Sequence, residues 1–438
     1  MQSSHQSNLR IRVRCIILTI ISIILLSPRP APAQTDSRAY LTALLEHKDY
    51  FRLRKELKQR TSSLSDQDRL YFRAHIENAF NDCQSSIKTT GELLKSRPDI
   101  PDSVKARLLQ LQEDNYVKTY QYGKAADVNK LLLSAHQAQL DSATQAEAKN
   151  SGAIWRVLSG TPAQKTEHEG ESLIKWKRDK AGLMRAPVTI GNETIDFVFD
   201  TGANLSTITR SMAEKMGLRI LDAEFDLGSI TALRSKSAVA VAQKVKIGKA
   251  EIENVVFLVL PDDKLAFPSI SYKIEGIIGF PVFNQLGEIR IAQNGSLTIP
   301  QTRKETGSQN LALDGLTPVI SLVADNDTLT FTFDTGAKKT ELYKSYLDKH
   351  AREVKELGQL RTVNRGGAGG VVSSAVYTMP EIRLSTGTSS ALLKQVNILT
   401  TSNKRHDFFY GNLGQDFIQN FAEMTINFKE MYISFSNP

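Results

Sequence analysis

The feature that most constrains this fold is a five-residue segment, FDTGA, that occurs at residues 199–203 and again at 333–337. In both copies a run of β-branched and aromatic residues leads into the aspartate, a composition typical of a strand. Two longer segments further along, 276–291 and 411–426, also align without a gap. Self-similarity on this scale indicates an internal duplication. The sequence therefore predicts two similar β-rich units in one chain.

The β-rich region has short alternating apolar runs separated by Gly, Asn and Asp, which predicts an all-β sandwich or barrel. Each unit opens with a hairpin whose turn contains Asn, at Gly191-Asn192 in the first and Asp325-Asn326 in the second. A polar stretch at 301–310 separates the units and is predicted to be a linker. We therefore expect one lobe at 174–300 and another at 311–438.

Residues 34–158 have a helical pattern instead. Leu41, Leu44 and Leu45 stand at i, i+3 and i+4, and similar stripes follow. The polar, non-periodic stretch 159–173 is predicted to be a linker. The chain as a whole is thus expected to be an α+β multidomain protein, with an all-α domain before the β units.

The helical region contains a weak repeat, because the segment at 93–96 returns in similar form at 131–134. The region resembles a tetratricopeptide-type array of helical hairpins, although a plain helical domain fits equally well. In either case it is expected to serve interaction with a protein partner or stability, since no chemistry is visible in it. Cys83 lies in this helical pattern and is expected to be buried.

Residues 1–33 have the pattern of an export signal. Arginines precede a short apolar run at 15–26, and the small-residue site Ala31-Pro32-Ala33 follows. The alternative is an uncleaved anchor; no later segment is apolar enough to span a bilayer. Removing residues 1–33, with four Arg and no acidic residue, would lower the formal charge from +8 to +4. This small charge gives no reason to expect nucleic-acid or membrane-surface binding.

The expected compartment follows from this signal and from the glycosylation sequons. Sequons begin at Asn192, Asn204, Asn294 and Asn326, and a glycan on Asn204 would lie directly beside the first FDTGA segment. A host that does not glycosylate is therefore favoured. We expect export to the periplasm or cell envelope of a bacterium, or secretion.

The repeated aspartates, Asp200 and Asp334, are the candidate reactive groups. Each leaves a strand into a Thr-Gly turn, Thr201-Gly202 or Thr335-Gly336, where the hydroxyl can hydrogen-bond across a junction and the glycine permits close approach. Two carboxyls facing each other cannot both ionise easily, so they share a proton and titrate as a pair. Such a pair provides a base and an acid in one site, which suits activation of a water molecule.

The two FDTGA segments, each followed by an apolar-Gly element, resemble those of the aspartic peptidases of the pepsin and retropepsin superfamily. The Ala after the Gly and the small lobes are more similar to the retropepsin-like branch, here with both lobes in one chain. The resemblance covers residues 183–438. It implies a two-lobed β-barrel fold with pseudo-twofold symmetry, endopeptidase activity, and a peptide or protein as substrate.

The resemblance also implies roles for residues at matching positions. Asp200 and Asp334 match the catalytic pair, and Thr201 and Thr335 match the threonines that interlock beneath it. Residues 277–279 and 412–414 match the apolar-Gly elements that brace the active-site loops. The residues that match supporting or substrate-binding positions around the pair are Gly202, Ala203, Asn204, Gly336, Ala337 and Lys338.

Some positions depart from the family pattern. Asn204 and Lys338 stand where retroviral members commonly have an acid that holds the substrate backbone, and Asn412 replaces an expected aliphatic residue. The family covers its cleft with flexible flaps; the glycine-rich stretch around Gly366 and Gly367 is the candidate in the second lobe, with an ordinary glycine loop as the alternative. The weaker candidate in the first lobe is 227–230.

No other chemistry is indicated. The His residues are scattered without metal-ligand spacing, and no nucleophile elbow or phosphate loop occurs. The sequence therefore predicts no cofactor and no metal. The rival hypothesis is a catalytically inactive protein of the same fold that only binds peptides.

Overall fold

The structure, a computed structural model, describes residues 32–96, 100–226, 236–268, 271–302, 309–324, 327–367, 370–387, 389–402 and 407–437. Its first part is helical, as expected. The helices there are α1 (Pro32–Glu46), α2 (Tyr50–Arg60), α3 (Asp66–Ala79), α4 (Cys83–Ser96), α5 (Asp102–Lys118), α6 (Tyr122–Ala135) and α7 (Ser142–Val157). Among the described residues, no helix combines the length and the apolar character needed to cross a bilayer.

Capping residues explain where several helices begin. Ser65 and Asp141 accept hydrogen bonds from the backbone of the first turns of α3 and α7. Neighbouring helices then pack side by side, α3 on α4, α5 on α6 and α6 on α7. Cys83 is buried at the start of α4, which confirms its expected environment, and burial raises the pKa of its thiol to about 11.

The first β unit is a sheet that closes on itself. Its elements are β1 (Lys165–His168), β2 (Ser172–Lys175), β3 (Lys177–Arg178), β4 (Met184–Ile190), β5 (Glu193–Phe199), β6 (Ser206–Thr209), α8 (Arg210–Lys215), β7 (Arg219–Asp226), β8 (Lys236–Ile247), β9 (Ala250–Leu260), β10 (Ala266–Phe267), β11 (Tyr272–Lys273), β12 (Gly276–Ile278), α9 (Phe280–Leu286), β13 (Glu288–Ala292) and β14 (Ser296–Ile299). Strands β9, β6, β12, β5, β4 and β8 follow one another around a ring, and β8 pairs back onto β9. The expected two-residue turn at Gly191-Asn192 is confirmed, because Ile190 pairs with Glu193.

The second β unit repeats this order. Its elements are β15 (Leu311–Asp314), β16 (Thr317–Ala324), β17 (Asp327–Phe333), β18 (Glu341–Leu342), α10 (Lys344–Lys349), α11 (Ala351–Leu357), β19 (Gln359–Gly367), β20 (Gly370–Thr386), β21 (Ser389–Leu399), β22 (Gly411–Leu413), α12 (Gln415–Ile418), β23 (Glu423–Asn427) and β24 (Tyr432–Ser436). Strands β16, β17, β22, β18, β21 and β20 again follow one another, and β16 also pairs with β20. The turn expected at Asp325-Asn326 lies outside the described residues.

A separate sheet of strands from both units joins them, in the order β2, β14, β13, β23 and β24. Its central pair is antiparallel, with Ile289 opposite Ile426 and Ile291 opposite Met424. All four of these side chains are buried in one apolar core that continues into both units. Burial of the apolar face of this sheet therefore holds the two units together.

The helical region packs against both β units. Helices α5, α6 and α7 place Val117, Tyr122 and Trp155 against Val239 and Val256 of the first unit. Helix α2 places Phe51 against the apolar cluster of the second unit, and Ala312 of β15 lies in the helical core. Polar contacts reinforce the second interface, because Asp314 accepts hydrogen bonds from Lys48 at 2.6 Å and Tyr50 at 2.8 Å.

The expected linker at 159–173 is only partly a linker. Residues 165–168 form β1, which pairs antiparallel with β9, and β2 begins at Ser172. Strand β1 could not be predicted because both of its faces are polar and partly exposed, so the alternation that predicts a strand is missing. Of the second expected linker, 301–310, residues 303–308 lie outside the described part of the chain.

Candidate active site

Two buried strands deliver Asp200 and Asp334 to the junction between the β units. Strand β5 ends at Phe199 and β17 at Phe333, and both phenylalanine rings are fully buried. The backbone N–H of Asp200 donates to Ile278 of β12 at 3.0 Å, and that of Asp334 donates to its counterpart in β22 at 3.0 Å. Anchored strand ends therefore fix the position of each carboxyl.

Thr201 and Thr335 lock the two turns together. The backbone N–H of Thr201 donates to the hydroxyl of Thr335 at 3.0 Å, and that of Thr335 donates to the hydroxyl of Thr201 at 3.1 Å. Each hydroxyl also donates across the junction, Thr201 to the carbonyl of Phe333 at 3.1 Å and Thr335 to the carbonyl of Phe199 at 2.8 Å. Both threonines are fully buried, so these bonds are shielded from water.

Close packing brings the two carboxyls into contact above the threonines. A Cβ on Gly202 would lie 2.7 and 2.8 Å from the carboxylate oxygens of Asp334, and one on Gly336 would lie 2.2 Å from Oδ2 of Asp200. Only glycine leaves this space. The carboxyls of Asp200 and Asp334 therefore face each other at close range, where the charge of one disfavours ionisation of the other.

The surroundings of the pair disfavour a second negative charge. Burial raises the pKa of Asp200 well above its usual value, and the neighbouring charge of Asp334 raises it further. The backbone N–H of Gly202 donates to Oδ1 of Asp200 at 2.8 Å, which offsets part of this effect. The arrangement therefore suits a pair that holds one proton and one charge at the same pH.

Two polar side chains of the second unit support the site, although the sequence pattern had indicated only scaffold there. The amide nitrogen of Asn412 donates to Oδ2 of Asp334 at 3.1 Å. The amide nitrogen of Gln415 donates to the carbonyl of Thr335 at 2.7 Å, while Arg178 of the first unit donates to Gln415 at 2.7 Å. The aligned positions in the first unit are apolar. A polar residue at a position that is apolar in the other copy was therefore the only sequence signal for these two contacts.

The residues expected at the substrate-binding positions lie just beyond the pair. The carbonyls of Ala203 and Ala337 each accept a backbone hydrogen bond at 2.8 Å from the residue after the apolar-Gly element. Asn204 is exposed, and its side-chain oxygen accepts from Thr317 at 3.4 Å. Lys338 is exposed and lies beside Gly182 in the loop between β3 and β4. The two loops therefore differ in charge and in neighbours.

The glycine-rich stretch of the second unit belongs to a β-hairpin. Gly366 pairs with Val371 and Gly367 with Gly370, at the end of the long β19–β20 ladder. Arg365 in the same strand forms an ion pair with Glu341 of β18. The hairpin is thus tied to the strand beside β22. The weaker candidate at 227–230 lies outside the described residues, between β7 and β8.

Comparison with known families agrees with this geometry in part. Residues 186–282 match the sequence model of a family described as aspartyl protease. The matched span begins in β4 and ends in α9, so it includes the first FDTGA segment and its apolar-Gly element. This part of the chain is thus an aspartic protease-like domain. No curated protein matches the chain.

Proposed function

We propose that this protein is an aspartic endopeptidase with two lobes related by a pseudo-twofold axis. The proposal is based mainly on the close approach of the Asp200 and Asp334 carboxyls above two reciprocally locked threonines. The aspartyl protease match of residues 186–282 supports the same class for the first copy. Equivalent hydrogen bonds at the second copy support its assignment as the other lobe.

In the proposed reaction a water molecule lies between the two carboxyls. The ionised carboxyl takes a proton from the water, whose oxygen attacks the carbonyl carbon of the peptide bond. The protonated carboxyl donates to the carbonyl oxygen and stabilises the charge that develops there. A pair that already shares one proton is in the correct state for both steps, which is why the raised pKa of Asp200 matters.

Substrate contacts are proposed for the loops beside the pair and for the hairpin of the second lobe. Gly202 and Gly336 would face the substrate backbone, together with Ala203 and Ala337. The exposed side chains of Asn204 and Lys338 would make the two halves of the cleft unequal. Gly366 and Gly367 at the hairpin end are the proposed flap, since lids of this kind close over bound substrate.

Lys338 would favour acidic substrate side chains or stabilise the ionised pair, because its charge lies next to the second aspartate loop. The alternative is an ordinary solvated lysine. Replacement of Lys338 by Ala should lower the preference for acidic over neutral peptides. An unchanged preference would rule out this role.

The helical region is proposed to stabilise the peptidase lobes and to recruit a protein partner through a tetratricopeptide-like arrangement of helical hairpins. The contacts of α2 with one β unit and of α5, α6 and α7 with the other support the stabilising role. Export to a bacterial periplasm or envelope, or secretion, is proposed from the N-terminal signal pattern.

A peptide-library assay of the full chain tests the proposal. We expect cleavage of internal peptide bonds, inhibition by a pepstatin-type compound and a bell-shaped pH profile. Binding of peptides without cleavage would favour the inactive scaffold instead. Cleavage that resists the inhibitor and survives loss of either aspartate would point to a different site.

A further inference from the structure

Asn412 is the polar exception in an otherwise apolar position. It lies in the middle of β22, which pairs with β17 in parallel and with β18 antiparallel. The aligned residue in the first unit is Ile277 in β12. The isoleucine side chain can make only apolar contacts. The asparagine side-chain NH₂ group donates a hydrogen bond to Oδ2 of Asp334 at 3.1 Å.

The other end of the Asn412 amide is also hydrogen-bonded. The hydroxyl of Thr332 donates to Oδ1 of Asn412 at 2.7 Å. An amide whose oxygen is engaged in this way presents its NH₂ group to Asp334. The hydroxyl of Tyr343 lies 3.4 Å from that of Thr332 and extends the network within the second lobe.

The two carboxyls therefore receive unequal support. Oδ1 of Asp334 accepts from the backbone of Gly336 at 2.8 Å and of Ala337 at 3.0 Å, while Oδ2 accepts from Asn412. Asp200 accepts from the backbone of its own turn, but Ile277 offers no donor to it. Hydrogen bonds donated to a carboxyl favour its ionised form, so the extra donor favours a charge on Asp334.

Charged and titratable groups surround this network on several elements. Asp200 faces Asp334 from the first lobe, and Tyr343 follows β18. Glu341 of β18 is the cross-strand neighbour of Asn412. Its negative charge is balanced by an ion pair with Arg365 of β19. Burial raises the pKa of Glu341, while Arg365 opposes this. Lys338 lies further along the loop that follows Asp334.

We propose that Asn412 is a positioning residue that makes the two aspartates unequal, so that Asp334 holds the charge and Asp200 holds the shared proton. The inference rests on the proposed peptidase function. Asp334 then acts as the base: it takes a proton from water as the water oxygen bonds to the carbonyl carbon. The carbonyl electron pair moves to its oxygen, which receives the proton of Asp200. The raised pKa of Asp200 agrees with this assignment.

The first test is the pH profile of kcat/KM for the wild type and for Asn412→Leu, a change of similar shape that removes the donor. Loss of the donor should shift the acid limb of the profile to higher pH by about one pH unit and leave the alkaline limb in place. On the acid side this corresponds to a roughly tenfold loss of kcat/KM. Asn412→Val gives the same prediction if the leucine variant does not fold.

Ile277→Leu is the matched control, because it exchanges one apolar residue for another at the aligned position of the first lobe. Both limbs of the pH profile of Ile277→Leu should stay at the wild-type pH. An acid limb that stays in place in Asn412→Leu, with only the maximal rate lowered, would overturn the proposal and leave the peptidase assignment intact. Absence of cleavage by the wild type would instead refute the peptidase function.

A second test requires no substrate. The loss of unfolding free energy caused by Asn412→Leu should grow as pH rises through the titration of the pair, because the missing donor stabilises a charge. In an Asp334→Asn background the loss should no longer depend on pH. A pH-dependent loss that persists in that background would show that Asn412 acts on a group other than Asp334.

Discussion

Thr201 and Thr335 each donate a backbone N–H to the hydroxyl of the other, across the junction of the two β units. Each hydroxyl also donates a hydrogen bond to the backbone carbonyl of the residue before the opposite aspartate. Four buried hydrogen bonds thus connect the two strand ends directly beneath the carboxyls. The relative position of the aspartates depends on this lock.

Replacing Thr201 by Val removes one hydroxyl and keeps the shape. The N–H of Thr335 and the carbonyl of Phe333 then remain buried without their partner, which should lower the free energy of unfolding by about 1–3 kcal/mol. Urea denaturation measures this loss, and Thr201→Ser is the control because it keeps the hydroxyl. Since both threonines belong to one network, the double Thr201→Val/Thr335→Val variant should lose less than the sum of the single losses. Additive losses would contradict a shared lock.

Replacing Gly202 by Ala should abolish cleavage, because the new Cβ would lie 2.6 Å from Cγ of Asp334 and displace that carboxyl. Gly336→Ala should act in the same way on Asp200. Gly91→Ala in α4 is the control: its Cβ meets nothing within 4 Å, and alanine favours a helix. Peptide cleavage together with circular dichroism separates loss of the site from loss of the fold. Full activity in Gly202→Ala would argue against the contact of the two carboxyls.

The raised pKa of Asp200 predicts a pH-dependent stability. A carboxyl whose pKa is higher in the folded state binds more protons there, so its contribution is complete below the unfolded pKa of about 3.9 and is lost as pH rises. Asp200→Asn should therefore become more stable than the wild type as pH rises from about 4 to about 7. Thermal unfolding across this range measures the difference. Asp127→Asn, at an exposed position of α6, is the control variant.

Asp314 links the helical region to the second β unit through Lys48 and Tyr50. Asp314→Ala should lower the free energy of unfolding by about 1–3 kcal/mol, mainly because the buried hydroxyl of Tyr50 loses its acceptor. Adding Tyr50→Phe should recover part of the loss. Asp102→Ala, which breaks an exposed pair with Lys105, is the control and should cost only about 0–1 kcal/mol. Equal costs for the two substitutions would contradict a structural role for this contact.

Much of the β architecture could be predicted because the duplicated elements each have a local sequence signature. The strand ends, the Thr-Gly turns and the Gly191-Asn192 hairpin each have a signature within a few residues. The joining sheet had no such signature. Strands β13 and β23 come from distant parts of the chain, and their pairing depends on how the whole core closes.

The polar contacts of the site were harder to predict, for a different reason. Asn412 stands at a position that is apolar in the first copy of the repeat, so alignment of the two copies assigned it to the scaffold. Its role depends on a 3.1 Å distance to Asp334, and no spacing in the sequence encodes that distance. Strand β1 was not predicted for a related reason: an edge strand with polar residues on both faces lacks the alternation used to recognise strands.

The most direct test of the central claim is peptide cleavage by the full chain with a single Asn substitution at Asp200 or Asp334. A shared pair needs both carboxyls, so each variant should lose cleavage while circular dichroism shows an unchanged fold. We expect loss of cleavage in both variants and retained activity in Asp127→Asn. Cleavage that persists in either Asp200→Asn or Asp334→Asn would contradict it.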